Sequence, residues 1–393
     1  MAAAPQEDDA MTDARTRQTF HDMIAQPTAD EAARQEYTHS LRFHLLADLW
    51  PGTRKTWDSK YAEQFRKKHG RDPIKRKEVA EIMQRDPYWK MGSSLRRINQ
   101  EIMWDTYGEK IEKHLDDLIA KARRYRDSNR KLGSLMLDPS LEIPRYHTAV
   151  DIHIQPGAYH TDLTEDDVFA GALYDDVIWM FFMHAGGGLN DSAGRSIIAW
   201  LEQQHAGFAP KRILDMGCTV GHSTLPYVDA YPGAEVHAID VGAPVLRYAH
   251  ARAEALDKEV HYSQQNAEAT NFPDGHFDLV VSHLMFHETS SKAMPAIFDE
   301  AHRLLAPGGI MVHQDIAPGA FIGDAVDQYS MDWSTHYNAE PFIAKLMDLD
   351  HGQIAVDAGF AKKSVKEIDI DGLREAHAHR AVGNQQHITY ARK

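Results

Sequence analysis

Residues 211–224 place two glycines and a carboxylate directly after a short apolar run, a combination that can bind a small polar ligand. The apolar run predicts a buried strand that ends at Asp215, and Gly217 and Gly221 allow the backbone to turn tightly beside a ligand. A dinucleotide-binding turn has the pattern Gly-x-Gly-x-x-Gly, whereas three residues separate these two glycines. A carboxylate repels a diphosphate but accepts hydrogen bonds from an ammonium group. The pattern therefore favours a nucleoside that carries an amino acid.

Later segments contain residue types that would complete such a site, in a regular order. Asp240 ends a second apolar run 19 residues after Gly221, near the spacing of about 20 at which a carboxylate binds ribose hydroxyls. NAD-binding proteins share this feature, so it does not discriminate. Residues 266–282 combine Asn-Ala-Glu with a strand pattern, and residues 300–315 contain a helix pattern, a Pro-Gly-Gly turn and another strand pattern. Together these segments resemble the class I S-adenosylmethionine-dependent methyltransferases over roughly the C-terminal half.

The resemblance implies S-adenosyl-L-methionine as the cofactor and gives roles to residues at the ends of the strands. Asp215 would accept a hydrogen bond from the methionine ammonium, Gly217 would allow close approach, and Asp240 would bind the ribose. Asn266, where the family more commonly has aspartate, would meet the adenine together with the backbone N–H of Ala267. The expected cofactor-binding residues are Asp215, Gly217, Cys218, Thr219, Gly221, Asp240, Val241, Asn266, Ala267, Glu268, Ser282 and His283.

Two histidines follow the fourth strand, at the edge where open α/β sheets bind ligands. His283 directly follows the strand and is the better candidate for a base, while His287 could share its helical face or pack in the core. Asp315 ends the fifth strand at the same rim. Methyl transfer from a sulfonium chiefly requires aligned reactants, so a base is not obligatory. The catalytic candidates are His283, His287 and Asp315.

Polar and aromatic residues in two other segments could form the walls of a substrate pocket or have a purely structural role. One group precedes the predicted core domain and the other lies in the long link 317–340. The candidates for substrate binding are Tyr146, His147, His153, Gln155, Tyr159, Trp333, His336 and Tyr337. No metal is expected, because the first group lacks ligand spacing and His283 and His287 have no obvious third ligand.

Composition limits the partners and the compartment. The chain of 393 residues has 58 acidic and 43 basic side chains and a formal net charge of −15, which argues against a nucleic-acid or anionic-membrane partner. The single cysteine, Cys218, cannot form an internal disulfide and indicates a reducing compartment, hence the cytoplasm. The N-terminus lacks the apolar core of a secretory signal. The longest apolar run, 177–183, is too short to span a bilayer.

The hydrophobic patterns predict an α/β protein with a helical first half. Candidate helices cover 28–49, 59–69, 73–84 and 92–124, and the last carries an apolar stripe that could pack internally or form a homodimer. Alternating apolar residues over 150–154 predict an extended segment, and a capping-box pattern at Thr164 predicts a helix over 164–184.

Beyond residue 210, strands alternate with helices, as in a doubly wound sheet. We therefore expect a mostly parallel, Rossmann-like sheet, for which the family resemblance implies seven strands with an antiparallel last strand. The expected divisions are a disordered tail (1–20), a mainly helical domain for substrate binding, dimerisation or a lid (21–188), and a cofactor-binding domain (189–393).

These features predict methyl transfer from S-adenosylmethionine to an O, N or S atom of a small molecule. Two alternatives keep the same fold: methylation of a protein side chain in an open groove, and a methyltransferase-like protein that binds a partner without turnover. An NAD-dependent oxidoreductase is disfavoured by the spacing of the glycines.

Overall fold

The computed structural model describes residues 18–393, so most of the predicted tail 1–20 lies outside the described residues. The α-helices are α1 (Ala29–His44), α2 (Gly52–Thr56), α3 (Ala62–His69), α4 (Arg76–Met83), α5 (Pro87–Arg126), α6 (Arg145–Thr148), α7 (Phe169–Phe181), α8 (Ser192–Gln204), α9 (Leu225–Ala230), α10 (Ala243–Ala255), α11 (Ala293–Leu304), α12 (Gly319–Ile322), α13 (Ala325–Met331), α14 (Trp333–Tyr337), α15 (Ile343–Met347), α16 (His351–Asp357) and α17 (His379–Val382). Two π-helical turns, Leu45–Leu49 and Trp57–Tyr61, join the first helices.

One sheet organises the C-terminal half. Its strands are β1 (Ser134–Met136), β2 (Arg212–Met216), β3 (Glu235–Asp240), β4 (His261–Gln264), β5 (Phe277–His283), β6 (Leu305–Asp315), β7 (Lys366–Asp371) and β8 (Gln385–Arg392). Their order is β1-β4-β3-β2-β5-β6-β8-β7, and every pair is parallel except β6/β8 and β7/β8. The predicted doubly wound, mostly parallel fold is confirmed, with an antiparallel last strand.

The sheet has eight strands where seven were expected. The additional strand, β1, comes from the first half of the chain and pairs in parallel with β4, where Leu135 lies opposite Tyr262. A strand of three residues is too short to show a recognisable alternation of apolar and polar residues. It is identified by its pairing with β4 and not by its own sequence pattern.

The parallel strands bring their carboxyl ends to one edge. Asp215 in β2 pairs with Ala238 in β3 and with Val281 in β5, so the ends of these three strands are neighbours. Both faces of the sheet are covered by buried apolar residues: Ile213 belongs to one core cluster and Leu214, the next residue, to the other. Residues that follow these strands are therefore placed at a common rim.

The helices of the first half pack directly on the sheet domain. Asp175 in α7 accepts hydrogen bonds from Tyr248 and Arg252 in α10, at 2.9 and 3.1 Å, and all three side chains are buried. The apolar stripe of α5 is mostly buried inside the chain, although Ile98 is 48% exposed. The division at residue 188 and the homodimer stay predictions, and the packing is continuous across that position.

Local structure differs from the sequence prediction in three places. The predicted extended segment 150–154 is wrong: Ile152–Ile154 is a 3-10 turn, and His153 and Ile154 both have positive φ. Helix α7 begins at Phe169, five residues later than predicted, with Val168 as its N-cap residue, and the carboxylate of Asp167 accepts from the backbone N–H of Phe169 at 2.6 Å. The sequence of residues 341–358 predicts one helix that ends before Gly359, and the structure has two short helices there, α15 and α16.

Among residues 18–393, none of the helices combines the length and the apolar content that crossing a membrane requires.

Candidate active site

The glycine turn after β2 has a backbone that only glycine fits well. Gly217 has φ +72° and Gly221 has φ +80°. The N–H groups of Gly217 and Cys218 both donate to the carbonyl oxygen of Ile239, at 2.8 and 3.0 Å, which fixes the turn against β3. A Cβ at position 217 would lie 2.8 Å from the side chain of Met285. The turn therefore combines a left-handed backbone with close packing from above.

Two adjoining cavities open over this turn. The first reaches from Asp215 toward α7 and α8, and the second reaches from Asp240 toward α6. The residues common to both walls are Tyr174, Gly217, Thr219, His283 and Leu284. The turn is thus the floor on which an elongated ligand could extend into both cavities.

Asp215 has one carboxylate oxygen available to a ligand. The side chain is 1% exposed, and Oδ2 accepts from the hydroxyl of Thr224 at 2.5 Å. The other oxygen, Oδ1, has no hydrogen-bond partner among the described residues. Burial raises the pKa of Asp215 to about 7. A cationic group in the first cavity would satisfy the free oxygen and stabilise the ionised carboxylate.

Asp240 accepts hydrogen bonds from the backbone and also lines the second cavity. Its carboxylate accepts from the N–H groups of Thr219 and Gly242, at 3.0 and 2.9 Å. Burial raises its pKa to about 6, against these hydrogen bonds. Each carboxylate oxygen has a second acceptor site, so ribose hydroxyls could still bind.

The opposite wall of the second cavity includes Val241, Asn266 and Ala267. The side-chain oxygen of Asn266 accepts from the N–H of Glu268 at 2.9 Å, which orders the loop after β4. Glu268 itself accepts from the hydroxyl of Tyr146 at 2.9 Å and does not line either cavity.

The other predicted cofactor residues differ in position. Cys218 and Thr219 line the first cavity, and burial raises the pKa of the Cys218 thiol, so it stays protonated. Gly221 shapes the turn without lining either cavity. Ser282 is fully buried, with its hydroxyl 2.7 Å from Nδ1 of His313, and is likewise absent from both walls.

His283 is the predicted catalytic residue that borders both cavities. Its Nε2 lies 3.2 Å from the hydroxyl of Tyr227, and its buried Nδ1 has no hydrogen-bond partner in the part of the chain that the structure describes. Burial lowers the pKa of His283 to about 3, so the ring is neutral near pH 7. A neutral imidazole can orient an acceptor by hydrogen bonding, although a pKa this low makes it a weak base.

His287 and Asp315 form a buried pair beside the cavities, and neither lines a cavity wall. His287 also faces two carboxylates through Nε2, which lies 3.8 Å from Glu288 and from Glu340. Glu288 lines the second cavity, and one of its oxygens is 2.9 Å from both His153 Nε2 and the Tyr159 hydroxyl. A charged network therefore joins the N-terminal residues to the segment after β5.

The same network contains a group of three ligand-capable residues that spacing along the chain did not reveal, and His283 is not one of them. His153, His287 and Glu340 bring ligand-capable atoms within 4.8 Å of one another. His153 is already engaged by Glu288 and lies 3.4 Å from Glu340, so the geometry is that of a hydrogen-bonded ion-pair network.

The predicted substrate residues fall into two groups. Tyr146, His147 and Tyr159 line the second cavity, and His153 contacts its wall through Glu288. Gln155 is fully buried and donates to the backbone oxygen of Ala158. The remaining three lie away from both cavities: Trp333 and Tyr337 belong to an aromatic cluster with Trp50 and Trp89, and His336 is 55% exposed.

Several cavity residues were not predicted from the sequence. Tyr174, His222 and Arg374 line the first cavity, together with Gln314 and Gln386. The guanidinium of Arg374 donates to the carbonyl of Val382 at 2.9 Å, and burial lowers its pKa. These residues come from α7, the glycine turn, β6, the segment after β7, and β8, so no local motif connects them. Only their convergence in the fold reveals them.

Comparison with known proteins gives the family. A family model described as a methyltransferase domain matches residues 213–309. A demethylmenaquinone methyltransferase of Thermus thermophilus is 40% identical over 118 residues, 29% of this chain and 52% of that protein. A malonyl-(acyl-carrier protein) O-methyltransferase of Pseudescherichia vulneris is 30% identical over 182 residues, 44% of this chain and 68% of that protein. The chain belongs to the class I S-adenosylmethionine-dependent methyltransferase family.

Membership of this methyltransferase family confirms the predicted family and its cofactor, S-adenosylmethionine, while the assignment of individual residues to the cofactor stays a prediction. A ubiquinone biosynthesis O-methyltransferase of Psychrobacter arcticus is 33% identical over 168 residues, 40% of this chain and 62% of that protein. The methyltransferase chain therefore spans about half to two thirds of the length of the relatives that it matches.

Proposed function

We propose that this protein transfers the methyl group of S-adenosylmethionine to an O, N or S atom of a small molecule. The observation that carries the proposal is the unpartnered Oδ1 of Asp215 at the floor of the first cavity. A buried carboxylate oxygen without a partner is costly, and the methionine ammonium of the cofactor would satisfy it.

The two cavities match the two halves of such a cofactor. The ribose would bind Asp240 and the adenine would lie near Asn266 and Ala267, in the second cavity. The methionine would extend into the first cavity, where Asp215 would take its ammonium and Arg374 its carboxylate. The sulfonium would then lie between them, above Gly217 and beside His283, which borders both cavities.

The acceptor would approach from the side of the N-terminal residues. Tyr146, His147 and Tyr159 line that wall, and Tyr159 is held by a hydrogen bond to Glu288. His283 would orient the acceptor through Nδ1, and the protonated His287 would donate a hydrogen bond to Asp315 and not act as a base. Alignment of the two reactants can supply on the order of 7–11 kcal/mol of the barrier reduction. The names of two relatives, a demethylmenaquinone methyltransferase and a ubiquinone biosynthesis O-methyltransferase, favour a small acceptor over a protein side chain.

Two measurements test the proposal in sequence. Calorimetry should detect S-adenosylmethionine binding that Asp215→Asn weakens at least tenfold, with NADH giving no heat. Purified protein should then transfer label from methyl-labelled cofactor to members of a panel of phenols, thiols and amines. Label recovered only in precipitated protein would favour protein methylation, and binding without transfer to any member would favour a catalytically silent protein.

A further inference from the structure

A second cluster of ligand-capable side chains lies on the β7–β8 hairpin, away from the cofactor cavities. His351 begins α16, Glu367 lies in β7 and His387 lies in β8. The ligand-capable atoms of these three residues all lie within 4.8 Å of one another. Neither cavity wall contains any of the three, so the cluster is separate from the proposed active site.

The register of the hairpin explains why these side chains meet. Asp369 pairs directly with His387 in the antiparallel ladder, and Glu367 lies two residues before Asp369. Because side chains alternate between the faces of a strand, Glu367, Asp369 and His387 share one face. The N-terminal end of α16 lies against this face and brings His351 to it.

Each imidazole is oriented with one nitrogen turned toward Glu367. Nδ1 of His387 lies 2.8 Å from Oδ1 of Asp369, so its N–H donates to the carboxylate and Nε2 is left as the lone-pair nitrogen. Nε2 of His351 lies 3.1 Å from the carbonyl oxygen of Leu346, which leaves Nδ1 as the lone-pair nitrogen. Metal-bound histidines are held in this way, with the second ring nitrogen donating to a carboxylate or a backbone carbonyl.

The facing atoms make no hydrogen bonds to each other. Nε2 of His387 lies 3.6 Å from Oε1 of Glu367, and Nδ1 of His351 lies 4.0 Å from the same oxygen. Within residues 18–393, neither His387 Nε2 nor Glu367 Oε1 has a hydrogen-bond partner, and both atoms are buried. Ligands around a tetrahedral zinc ion, bound at about 2.0–2.1 Å, lie about 3.3 Å from each other.

We propose that His351, Glu367 and His387 bind one divalent transition-metal ion, zinc being the best fit to two imidazoles and one carboxylate. The fourth position would be taken by water. This site replaces the expectation of a protein without metal, which rested on spacing along the chain. The ion would fasten α16 to the edge hairpin of the sheet, since its ligands come from all three elements. Gln386, next to His387, lines the first cavity, so the hairpin that the ion holds also forms part of that wall.

The direct test is zinc stoichiometry on the full chain after removal of metal with a chelator. Equilibrium dialysis against zinc sulfate with elemental analysis should give one zinc per chain in the wild type. Glu367→Gln and His387→Ala should lower the affinity at least 100-fold, and Asp369→Asn should lower it about 10–100-fold, because it orients His387 without touching the ion. His336→Ala, which removes an exposed histidine, should keep the wild-type affinity.

Two further measurements separate ligand loss from misfolding and from binding elsewhere. Circular dichroism and the melting temperature of the metal-free proteins should agree between the wild type and Glu367→Gln, and zinc should raise the melting temperature only in the wild type. Glu340→Gln, in the other histidine cluster, should still bind one zinc. Absence of zinc binding at micromolar concentrations, unchanged stoichiometry in Glu367→Gln, or loss of zinc in Glu340→Gln would each overturn the proposal.

Discussion

The Nδ1 atom of His287 lies 2.8 Å from Oδ1 of Asp315, and both side chains are buried. Burial alone would lower the pKa of His287, but the charge and hydrogen bond of Asp315 outweigh it and raise the pKa to about 10. The pKa of Asp315 stays below its usual range, because His287 and two backbone N–H groups outweigh its desolvation. The pair is therefore an imidazolium and a carboxylate at neutral pH, so His287 has no lone pair with which to accept a proton.

Asp315→Asn should lower the pKa of His287 by more than two units, because the charged form loses its nearest counter-charge while burial still opposes it. NMR titration of the imidazole resonances measures this directly. A wild-type His287 that titrates between pH 6 and 7 would contradict the assignment.

The affinity for S-adenosylmethionine should rise with pH up to about pH 7. Burial raises the pKa of Asp215 to about 7, and the ammonium of the cofactor binds only the ionised carboxylate. One linked proton gives about a tenfold increase in affinity per pH unit below this pKa.

Calorimetry between pH 5.5 and 8 should show this slope in the wild type and a much flatter dependence in Asp215→Asn. The same raised pKa makes the cofactor-free protein less stable as the pH rises from about 4 to 7, since the unfolded chain releases this proton first. A wild-type affinity independent of pH would remove Asp215 from the ammonium site.

Asp175→Ala should destabilise the protein by about 3–5 kcal/mol, because it leaves the buried guanidinium of Arg252 without a counter-charge. Asp175 accepts from Arg252 at 3.1 Å and lies 2.5 Å from Nε2 of His222, so it ties α7 to α10 and to the glycine turn. Urea unfolding measures the change. Asp229→Ala removes an exposed ion pair with Lys258 and should cost less than about 1 kcal/mol.

The direction of the pKa shift of Asp175 determines how its contribution to the free energy of unfolding changes with pH. Although burial opposes ionisation, Arg252 and His222 hold the pKa of Asp175 well below its usual range. The stabilisation is therefore complete above about pH 4, where the unfolded carboxyl is ionised, and is lost as the pH falls further. If Asp175→Ala and Asp229→Ala had equal unfolding free energies, Asp175 would not connect the two halves.

The parts of the fold that the sequence predicts are those where the local pattern agrees with the global fold. Strand β2 and the turn with Gly217 and Gly221 could be predicted from local residue types. The apolar run indicates a buried strand, and the two glycines indicate a turn with positive φ. The extended segment at His153 was wrong because alternation over five residues also fits a turn, and here His153 turns through positive φ to reach Glu288.

Residues brought together over long distances could not be predicted from the sequence. Arg374 and Tyr174 line the same cavity although 200 residues separate them, and neither belongs to a motif. The zinc ligands proposed at His351, Glu367 and His387 depend on the register of an edge hairpin that spacing alone does not give. Binding residues that lie on a single turn can be predicted from the sequence, whereas a site formed by residues from distant elements becomes visible only in the three-dimensional structure.

Gly217→Ala should weaken S-adenosylmethionine binding at least tenfold. The new Cβ would require an unfavourable φ of +72° and would lie 2.8 Å from the side chain of Met285, which forces the turn or the cavity wall to move. Gly207→Ala is a matched control, since its φ is +83° and a Cβ there would meet nothing within 4 Å. Both variants should lose about 1–2 kcal/mol of stability from backbone strain.

Calorimetry of both variants distinguishes the effect of backbone strain from an effect on the cofactor site. Both variants introduce strain, but only Gly217→Ala should lose cofactor affinity. Adding Met285→Ala to Gly217→Ala removes the atoms that the new Cβ would meet, so the double variant should recover part of the lost stability if the contact is responsible. Equal cofactor affinity in Gly217→Ala and Gly207→Ala would show that the cofactor does not approach the backbone at this turn, and the proposed position of the sulfonium would then be wrong.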